Sequence, residues 1–345
     1  MLRTHRRLAG AVAATAALTL GLTACGSGST DTAADSTDDA AASGETGTVT
    51  VESLELTDDA TTTTEVEVTT PPTNVVVTDN NLFQTVTDWD IELVAAPRSL
   101  MPSTNPMRED EEIVDLGSHR EPDLESIVAV EPGLIISGGR FAQFADDFAE
   151  LVPDADSVNL GQVGDESKYD SMVRQTEAMG TIFGMEEEAG ALVSDLDAAI
   201  ERAKAAYDPE DTVMAVLTSG GEISYTAPST GRTLGPIYDM LGLTPALEQE
   251  GSNDQSHGDD ISVEAIAQSN PDIIMVMDRD AGIGANVEGE DYTPANQLLA
   301  DSSALQNVTA VQDEAIYYMP QDTYTNESIQ TYTEYINQLA DAFEE

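Results

Sequence analysis

The chain has 345 residues and a formal net charge of −52 at pH 7, because 65 acidic residues face only 13 lysines and arginines. A surface this acidic repels nucleic acid and anionic lipid, so a nucleic-acid function is excluded. Cys25 is the single cysteine, which excludes disulfides and thiol chemistry in the folded part.

The N-terminus has the pattern of a bacterial export signal. Arginines among the first seven residues precede an apolar stretch that is too short and too rich in small residues to span a membrane. It ends in a Leu-Thr-Ala-Cys sequence that resembles a lipoprotein cleavage box. We therefore predict a signal peptide over residues 1–24, lipidation of Cys25 and a flexible tether over residues 25–46, which places the protein outside the cytoplasm on the outer face of the cell membrane. The alternative is a secreted protein with one stray cysteine.

The first part of the remaining chain predicts strands. Alternating polar and apolar residues over 48–53 and 63–70 predict an exposed β-hairpin. Buried strands follow over 74–79 and 91–97, and a helix is predicted from Tyr169 to Phe183 before Gly184 breaks it. A polar, alanine-rich segment with one apolar stripe then predicts a helix over 186–207, about 33 Å long at 1.5 Å per residue.

Strands also alternate with helices beyond residue 207, ending in a C-terminal helix from about Glu327. Elements of both kinds on both sides of one long helix predict an α/β protein with two lobes. We place the N-terminal lobe at 47–185, the connecting helix at 186–207 and the C-terminal lobe at 208–345, with a ligand cleft between the lobes.

One segment of the chain recurs 139 positions later. In the first copy Glu125, Pro132 and Arg140 are seven and eight residues apart, and Glu264, Pro271 and Arg279 repeat that spacing. Each copy predicts an N-cap, a short amphipathic helix, a proline stop and an apolar strand that ends in an arginine. Because open α/β sheets bind ligands at strand ends, the two arginines are candidate ligand contacts. Chance similarity between two ordinary αβ units is the alternative.

The common enzyme signatures are absent from the sequence, and beyond the predicted signal peptide it contains only two histidines, His119 and His257. This composition favours a binding protein over an enzyme. Four of the few cations lie next to turns or strand ends, namely Arg98, Arg140, Arg232 and Arg279. Three guanidiniums in one cleft would attract a multiply charged anion, whereas salt bridges to neighbouring carboxylates are the simpler interpretation.

From about Thr48 to the end, the chain resembles the substrate-binding lipoproteins of iron–siderophore ABC importers, in particular the branch that handles catecholate siderophores of the petrobactin and enterobactin type. The resemblance is carried by seven segments in order: VVVTDNN, EPDLESI, PGLIISGGR, YDSMVRQTEAMGTIFGMEEEA, LTSGGEISYTAPSTGRTLGPIYDMLG, QSHGDDISVEAIAQSNPDIIMVMDRD and YYMPQDTY. It implies a periplasmic-binding-protein-like fold of the helical-backbone class, with two α/β lobes and the ligand between them.

The resemblance also implies the site residues. Three arginines that grip catecholate oxygens fall on Arg140, Arg232 and Arg279. A histidine and a tyrosine that coordinate Fe(III) of a tetradentate siderophore fall on His257 and Tyr324. Fe(III) favours oxygen donors and lowers the pKa of a phenol that binds it, and a neutral imidazole supplies the remaining donor. A loop-stabilising histidine and a packed tyrosine are the alternative interpretations.

Two further features accompany the resemblance. Glu125 and Glu264 match residues that dock one on each lobe against a membrane permease, although the helix dipole alone also favours acidic residues there. The segment around Tyr324 departs from the family pattern at two points. Thr323 precedes the tyrosine where the family usually has an aromatic residue, and TNESI follows it in place of a small, glycine-rich loop. The family suggests no role for His119, which is either a contact at the cleft edge or without function.

The expected protein is therefore a monomeric receptor that captures a ferric siderophore and delivers it to an ABC permease, without an intrinsic cofactor and without catalysis. Haem, a corrinoid or a hydroxamate siderophore are alternative ligands for the same fold. An extracellular siderophore hydrolase and a structural wall lipoprotein are alternatives of other classes. The first lacks a nucleophile–base pair in the sequence, and the bilobal repeat disfavours the second.

Overall fold

The computed structural model describes residues 46–56, 61–248, 258, 261–283 and 292–345. The predicted signal peptide, Cys25 and residues 25–45 of the predicted tether lie outside the described residues, and so does His257. None of the described helices combines the length and the apolar character that a membrane span requires.

Strands and helices alternate along most of the described chain. In the first half they are β1 (Gly47–Leu56), β2 (Thr61–Thr70), β3 (Val75–Val77), α1 (Phe83–Asp88), β4 (Leu93–Ala96), β5 (Val114–Asp115), β6 (Gly117–Ser118), β7 (Glu121–Pro122), α2 (Leu124–Ala129), β8 (Leu134–Ser137), α3 (Ala145–Leu151), β9 (Asp156–Asn159), α4 (Lys168–Phe183) and α5 (Glu186–Ala206). In the second half they are β10 (Thr212–Ser219), β11 (Glu222–Thr226), α6 (Gly235–Leu241), β12 (Thr244–Pro245), α7 (Val263–Ser269), β13 (Ile273–Asp278), α8 (Ala295–Asp301), α9 (Thr309–Gln312), β14 (Ile316–Tyr318) and α10 (Ile329–Phe343).

The described strands build two main sheets. The first has the order β5-β4-β3-β8-β9 and is parallel throughout. The second has the order β11-β10-β13-β14, with β12 also paired to β10, and only β11 runs antiparallel. All residues of β3 and β8 are buried, as expected for parallel strands covered on both faces. The predicted α/β class with two sheets is confirmed.

The predicted hairpin is also confirmed, because β1 and β2 pair antiparallel from Gly47 opposite Thr70 to Leu56 opposite Thr61. The hydroxyl of Ser53 accepts a hydrogen bond from the backbone N–H of Asn159 at 2.9 Å. This bond fixes the hairpin to β9 at the edge of the first sheet.

Helices α4 and α5 connect the two sheets. Helix α4 ends at Gly184, whose φ of 67° is in the left-handed region that favours glycine. Helix α5 ends one residue before the predicted boundary, because Tyr207 is an extended C-cap. Met179 of α4 is in the hydrophobic core of the first sheet, whereas Leu196 of α5 belongs to that of the second. The helix pair therefore shares its apolar residues between both halves.

The two repeat copies fold alike up to their arginines. Asp123 accepts a hydrogen bond from Ser126 N at 3.1 Å at the start of α2, and Ser262 does the same for Ala265 N at 3.3 Å at the start of α7. Arg279 follows β13 directly, but β8 ends at Ser137 and Arg140 lies within a 3₁₀ turn, Gly139–Phe144. The prediction that both strands end in an arginine is therefore accurate only for the second copy.

The C-terminal segment contacts the first half of the chain. Thr104 Oγ1 donates to Asp322 Oδ2 at 2.5 Å, and Gln330 Nε2 donates to Asp88 Oδ2 at 3.1 Å. Asn80 Nδ2 also approaches Thr325 O, at 3.4 Å. These contacts position the 3₁₀ turn Thr323–Thr325 against the carboxyl ends of the first sheet.

Candidate ligand-binding site

Three arginines surround the ring of Tyr324. The guanidinium carbons of Arg232, Arg279 and Arg140 lie 4.5, 4.6 and 5.1 Å from the ring centre. Tyr324 is 8% exposed, so the ring is largely enclosed. Such distances fit cation–π contacts. The structure thus brings four of the five residues predicted to contact the ligand or its iron into one cluster, and the fifth, His257, lies outside the described residues.

Arg140 reaches the cluster because of two glycines. A Cβ at Gly138 would overlap the carboxylate of Asp79, and one at Gly139 would lie 2.7 Å from Asp79 Oδ1. Gly139 also has a φ of 49°, which glycine adopts without steric cost. The turn between β8 and Arg140 therefore packs directly on Asp79, with room for glycine only.

Arg232 lies in a tightly folded loop between β11 and α6. Ser229 and Thr233 both have positive φ, 62° and 63°. A Cβ at Gly231 would lie 2.5 Å from Ala227 O, so the backbone folds back on itself just before the arginine. Backbone strain of this kind concentrates at functional sites, because the surrounding structure has to hold it.

Burial and charge act in opposite directions on Tyr324. Burial favours the neutral phenol and raises its pKa, but the guanidiniums of Arg232, Arg140 and Arg279 outweigh it, so the pKa of Tyr324 is lowered. The pKa of Arg140 is lowered as well, because burial and the positive charge of Arg232 both disfavour its charged form. The cluster therefore favours negative charge on the phenol oxygen or on a bound ligand.

Glu327 and Lys168 extend the cluster. Glu327 Oε1 accepts hydrogen bonds from Arg232 Nε at 2.9 Å and Nη2 at 2.5 Å, and its Oε2 lies 3.9 Å from Lys168 Nζ. Burial raises the pKa of Glu327, but Arg232 and Lys168 outweigh that effect and hold it below its usual range. Burial lowers the pKa of Lys168, against the attraction of Glu327 and Asp79.

Asp79 is the deepest charged residue of this group, with no exposed surface. Its Oδ1 accepts a hydrogen bond from Asn81 N at 3.0 Å, while Oδ2 has no hydrogen-bond partner among the described residues. Burial raises its pKa to about 6, although the Asn81 bond and the charges of Lys168 and Arg140 oppose the shift. A neutral and a charged form are therefore both accessible near neutral pH.

A cleft of about 1340 Å³ opens beside this cluster. Arg140, Arg232, Lys168 and Glu327 line it, together with residues of the hairpin, of α4 and α5, and of the loop that carries Arg232. Its volume suits a ligand larger than a simple oxyanion. In the described part of the chain, no group of three or more histidine, cysteine, aspartate or glutamate side chains is arranged to hold a metal ion by itself.

The other predicted residues are distributed as follows. Glu125 and Glu264 are exposed in the first turns of α2 and α7. His119 is half-buried with its Nδ1 unpartnered among the described residues, and burial, Arg140 and Arg120 lower its pKa. Arg98 takes no part in the cluster, because its Nη1 donates to the carbonyl oxygen of Asp110 at 2.9 Å.

Three charged residues of the cluster, Asp79, Lys168 and Glu327, were not among the site residues predicted from the sequence. A usable signal existed for Lys168, which is one of only two lysines in the chain. Glu327 lies in the TNESI segment that departs from the family pattern, so the departure itself marked the position. Asp79 ends the predicted strand 74–79 and belongs to the VVVTDNN segment, but nothing in the sequence distinguished it from the other acidic residues.

The sequence model of a periplasmic binding protein family matches residues 75–323 of this chain. The chain belongs to this family of periplasmic binding proteins. The petrobactin-binding protein YclQ of Bacillus subtilis is 26% identical over 276 residues, which are 78% of this chain and 82% of YclQ. Family membership confirms the fold class and a binding role.

Solved structures with the same fold superpose over most of the chain. The crystal structure of YclQ matches with a TM-score of 0.69 at 24% identity, over 87% of this chain and 99% of YclQ. A TroA-like periplasmic binding protein from Xylanimonas cellulosilytica gives 0.68 at 27% identity, over 86% and 100%. The catecholate-siderophore binding protein VctP of Vibrio cholerae gives 0.70 at 23%, over 86% and 100%. The shared architecture extends over 86–87% of this chain.

Proposed function

We propose that this chain is an extracytoplasmic binding protein that captures a ferric siderophore, of catecholate type, and delivers it to an ABC permease for iron uptake. The observation that carries the proposal is the cluster of three arginines around one enclosed tyrosine, beside a cleft between two sheets. In a chain with a net charge of −52, such a cluster supplies guanidinium donors that an anionic ligand can use.

The chemistry of the cluster fits catecholates. Each deprotonated catechol offers two adjacent oxygens, and a guanidinium donates two parallel N–H bonds to such a pair. Buried nitrogens without hydrogen-bond partners among the described residues, Arg140 Nη2 and Arg279 Nε, support this role. The ligands of similar proteins agree with this assignment, because YclQ is a petrobactin-binding protein and VctP is a catecholate-siderophore binding protein.

Direct contact with iron forms part of the proposal. Tyr324 is the candidate phenolate donor, because the three guanidiniums lower its pKa. His257 is the candidate imidazole donor, on the sequence resemblance alone. Together they would complete the coordination of Fe(III) held by a tetradentate siderophore, which leaves two positions open.

The remaining assignments are proposals as well. Residues 1–24 are the signal peptide, Cys25 carries the lipid and residues 25–46 form the tether that holds a monomer at the outer face of the cell membrane. Lobes at 47–185 and 208–345 flank the connecting helix at 186–207. Glu125 and Glu264, which are exposed at equivalent positions in the two copies of the repeat, dock against the permease.

A titration with an Fe(III) bis-catecholate tests this function. We expect saturable binding of the 1:1 complex to the full chain, with a shift of the catecholate-to-iron charge-transfer band and an induced circular dichroism signal. Binding without a band shift would retain the receptor function and remove iron coordination by Tyr324 and His257. No binding would overturn the catecholate assignment and direct the search to haem, corrinoids and hydroxamates.

A further inference from the structure

Glu327 already occupies the pairing edge of one of the three arginines. Its Oε1 accepts hydrogen bonds from both Nε and Nη2 of Arg232, which form one of the two edges with which a guanidinium can hold a pair of ligand oxygens. Glu327 and Arg232 both line the cleft, and the side chain of Glu327 is 11% exposed. A carboxylate of the protein itself therefore occupies one of the edges of Arg232 at which a ligand anion could bind.

The other two arginines differ from Arg232. Arg140 Nη2 and Arg279 Nε are buried and have no hydrogen-bond partner among the described residues. The chain thus supplies the carboxylate of Glu327 as a partner for Arg232, whereas Arg140 and Arg279 each keep a buried N–H donor without a partner among the described residues. This asymmetry shows that the three arginines do not offer equivalent binding capacity to a ligand.

The charges of the cluster nearly cancel. Its described cations are Arg140, Arg232, Arg279 and Lys168. Its carboxylates are Glu327, Asp79 and Asp280, the last of which lies 3.3 Å from Arg279 Nη1. With these seven groups ionised and the Tyr324 phenol neutral, the cluster has a net charge of +1, far less than the three arginines suggest. Without Glu327 the net charge would be twice as large.

We propose that Glu327 is a specificity-determining residue that matches the site to ferric complexes of low negative charge. Fe(III) bound by two catecholates has a net charge of −1, and Fe(III) bound by three has −3. Coulomb energy is proportional to the charge of the ligand, so the repulsion from Glu327 acts three times as strongly on the second complex. The inference rests on the proposed function and narrows its substrate class to tetradentate, singly charged complexes.

A purely structural role for Glu327 makes a different prediction. If the carboxylate only partners Lys168 and Arg232, its removal disturbs the site and weakens both complexes to the same degree. If it sets the charge preference, its removal strengthens both complexes, and the more highly charged one gains more. The ratio of the two affinities separates these roles.

The experiment compares 1:1 Fe(III) complexes of a linear bis-catecholamide and a tris-catecholamide built from the same arms. The full chain and its Glu327→Gln variant are titrated with each complex at low and at physiological salt. We expect the wild type to bind the −1 complex more tightly, and Glu327→Gln to shift the affinity ratio toward the −3 complex by at least about tenfold at low salt. The shift should shrink as salt rises, because added ions screen the interaction.

Glu344→Gln is the matched control, since Glu344 accepts the same Nε and Nη2 pair, at 2.8 and 2.9 Å, from Arg202 on the surface outside the cleft. It should leave the ratio unchanged, and Glu327→Asp, which keeps the charge, should restore the wild-type preference. An unchanged affinity ratio in Glu327→Gln, or an equal loss of affinity for both complexes, would overturn this inference and leave the proposed function standing. Wild-type preference for the −3 complex would overturn it even if the variant does not fold. No binding of either complex by the wild type would overturn the proposed function first.

Discussion

The guanidinium of Arg232 lies 4.5 Å from the ring centre of Tyr324, so this pair joins the loop after β11 to the 3₁₀ turn Thr323–Thr325. Arg232 is held by Glu327 on its other side, so the tyrosine ring and the carboxylate share one cation. Because Arg140 and Arg279 approach the same ring, the ionisation of one phenol reports on the whole arginine cluster.

Replacement of Arg140 by methionine should raise the pKa of Tyr324. The positive charge of Arg140 is one of the causes that lower this pKa against the effect of burial. Tyrosinate absorbance measured against pH would follow the change, and Tyr324→Phe in both backgrounds would isolate the Tyr324 contribution from the other nine tyrosines. A Tyr324 titration that is identical with and without Arg140 would show that the guanidinium does not act on the ring.

Removal of arginines should reduce affinity for a ferric bis-catecholate in steps. Hydrogen bonds to charged groups contribute about 1.5–3 kcal/mol, so Arg140→Ala should weaken binding by roughly tenfold to a hundredfold. The triple replacement of Arg140, Arg232 and Arg279 should abolish it. Arg202→Ala, on the surface outside the cleft, is the control and should bind normally. Retained affinity in the triple variant would exclude the arginine cluster as the ligand site.

Sequence reasoning could locate the arginines but not their partners. Because open α/β sheets bind ligands at the carboxyl ends of their strands, the repeat could mark Arg140 and Arg279 as ligand contacts, one from each sheet. The pairing of Arg232 with Glu327 joins residues 95 positions apart, and the contact of Lys168 with Glu327 spans 159. In a chain with 65 acidic residues, nothing in the local pattern distinguishes the carboxylate that reaches the site from those that remain in solvent.

The 3₁₀ turn that carries Arg140 illustrates a second limit. The sequence predicts that strand and arginine are contiguous, whereas the Gly138–Gly139 pair inserts a turn that packs onto Asp79. The glycines were visible in the sequence, but the buried residue that requires them comes from another strand end, about sixty positions earlier. Only the tertiary structure shows why this strand ends before its arginine.

Gly138→Ala should destabilise the chain and weaken ligand binding. The new methyl group would overlap the Asp79 carboxylate in a site without exposed surface, so we expect a loss of roughly 2 kcal/mol or more in the free energy of unfolding. Gly190→Ala is the matched control, because a Cβ there meets nothing within 4 Å in helix α5. It should raise stability by about 0.5–1 kcal/mol. Equal effects of both substitutions in denaturant unfolding would contradict the proposed packing.

Asp79 should make the folded chain less stable as pH rises. A salt-bridged aspartate has the opposite effect, because its folded-state pKa is lowered and not raised. Burial raises its folded-state pKa from 3.8 to about 6, so between these values the folded chain binds more protons than the unfolded chain. The contribution of Asp79 to the free energy of unfolding therefore falls as pH rises from about 4 to about 6, by on the order of 3 kcal/mol.

Asp79→Asn isolates this contribution, because all other groups titrate in both proteins. The variant should gain stability relative to the wild type as pH increases through this window and should level off above it. Urea unfolding at pH 4 and at pH 7.5 is the measurement. A difference between variant and wild type that is the same at both pH values would show that Asp79 does not titrate in this range.

Reversal of charge at Glu125 and Glu264 should block delivery of iron without affecting its capture. Both side chains are exposed at the N-terminal turns of matching helices, so neither substitution removes a buried contact. Each Glu→Arg change should reduce uptake of labelled ferric bis-catecholate by cells at least about tenfold, since like charges across a docking interface are strongly unfavourable. Glu187→Arg on the exposed start of α5 is the control for the added charge. Ligand affinity is measured separately on the purified variants. Normal binding combined with normal uptake in the double variant would exclude these two residues from docking. Loss of binding would show that they act on the ligand site.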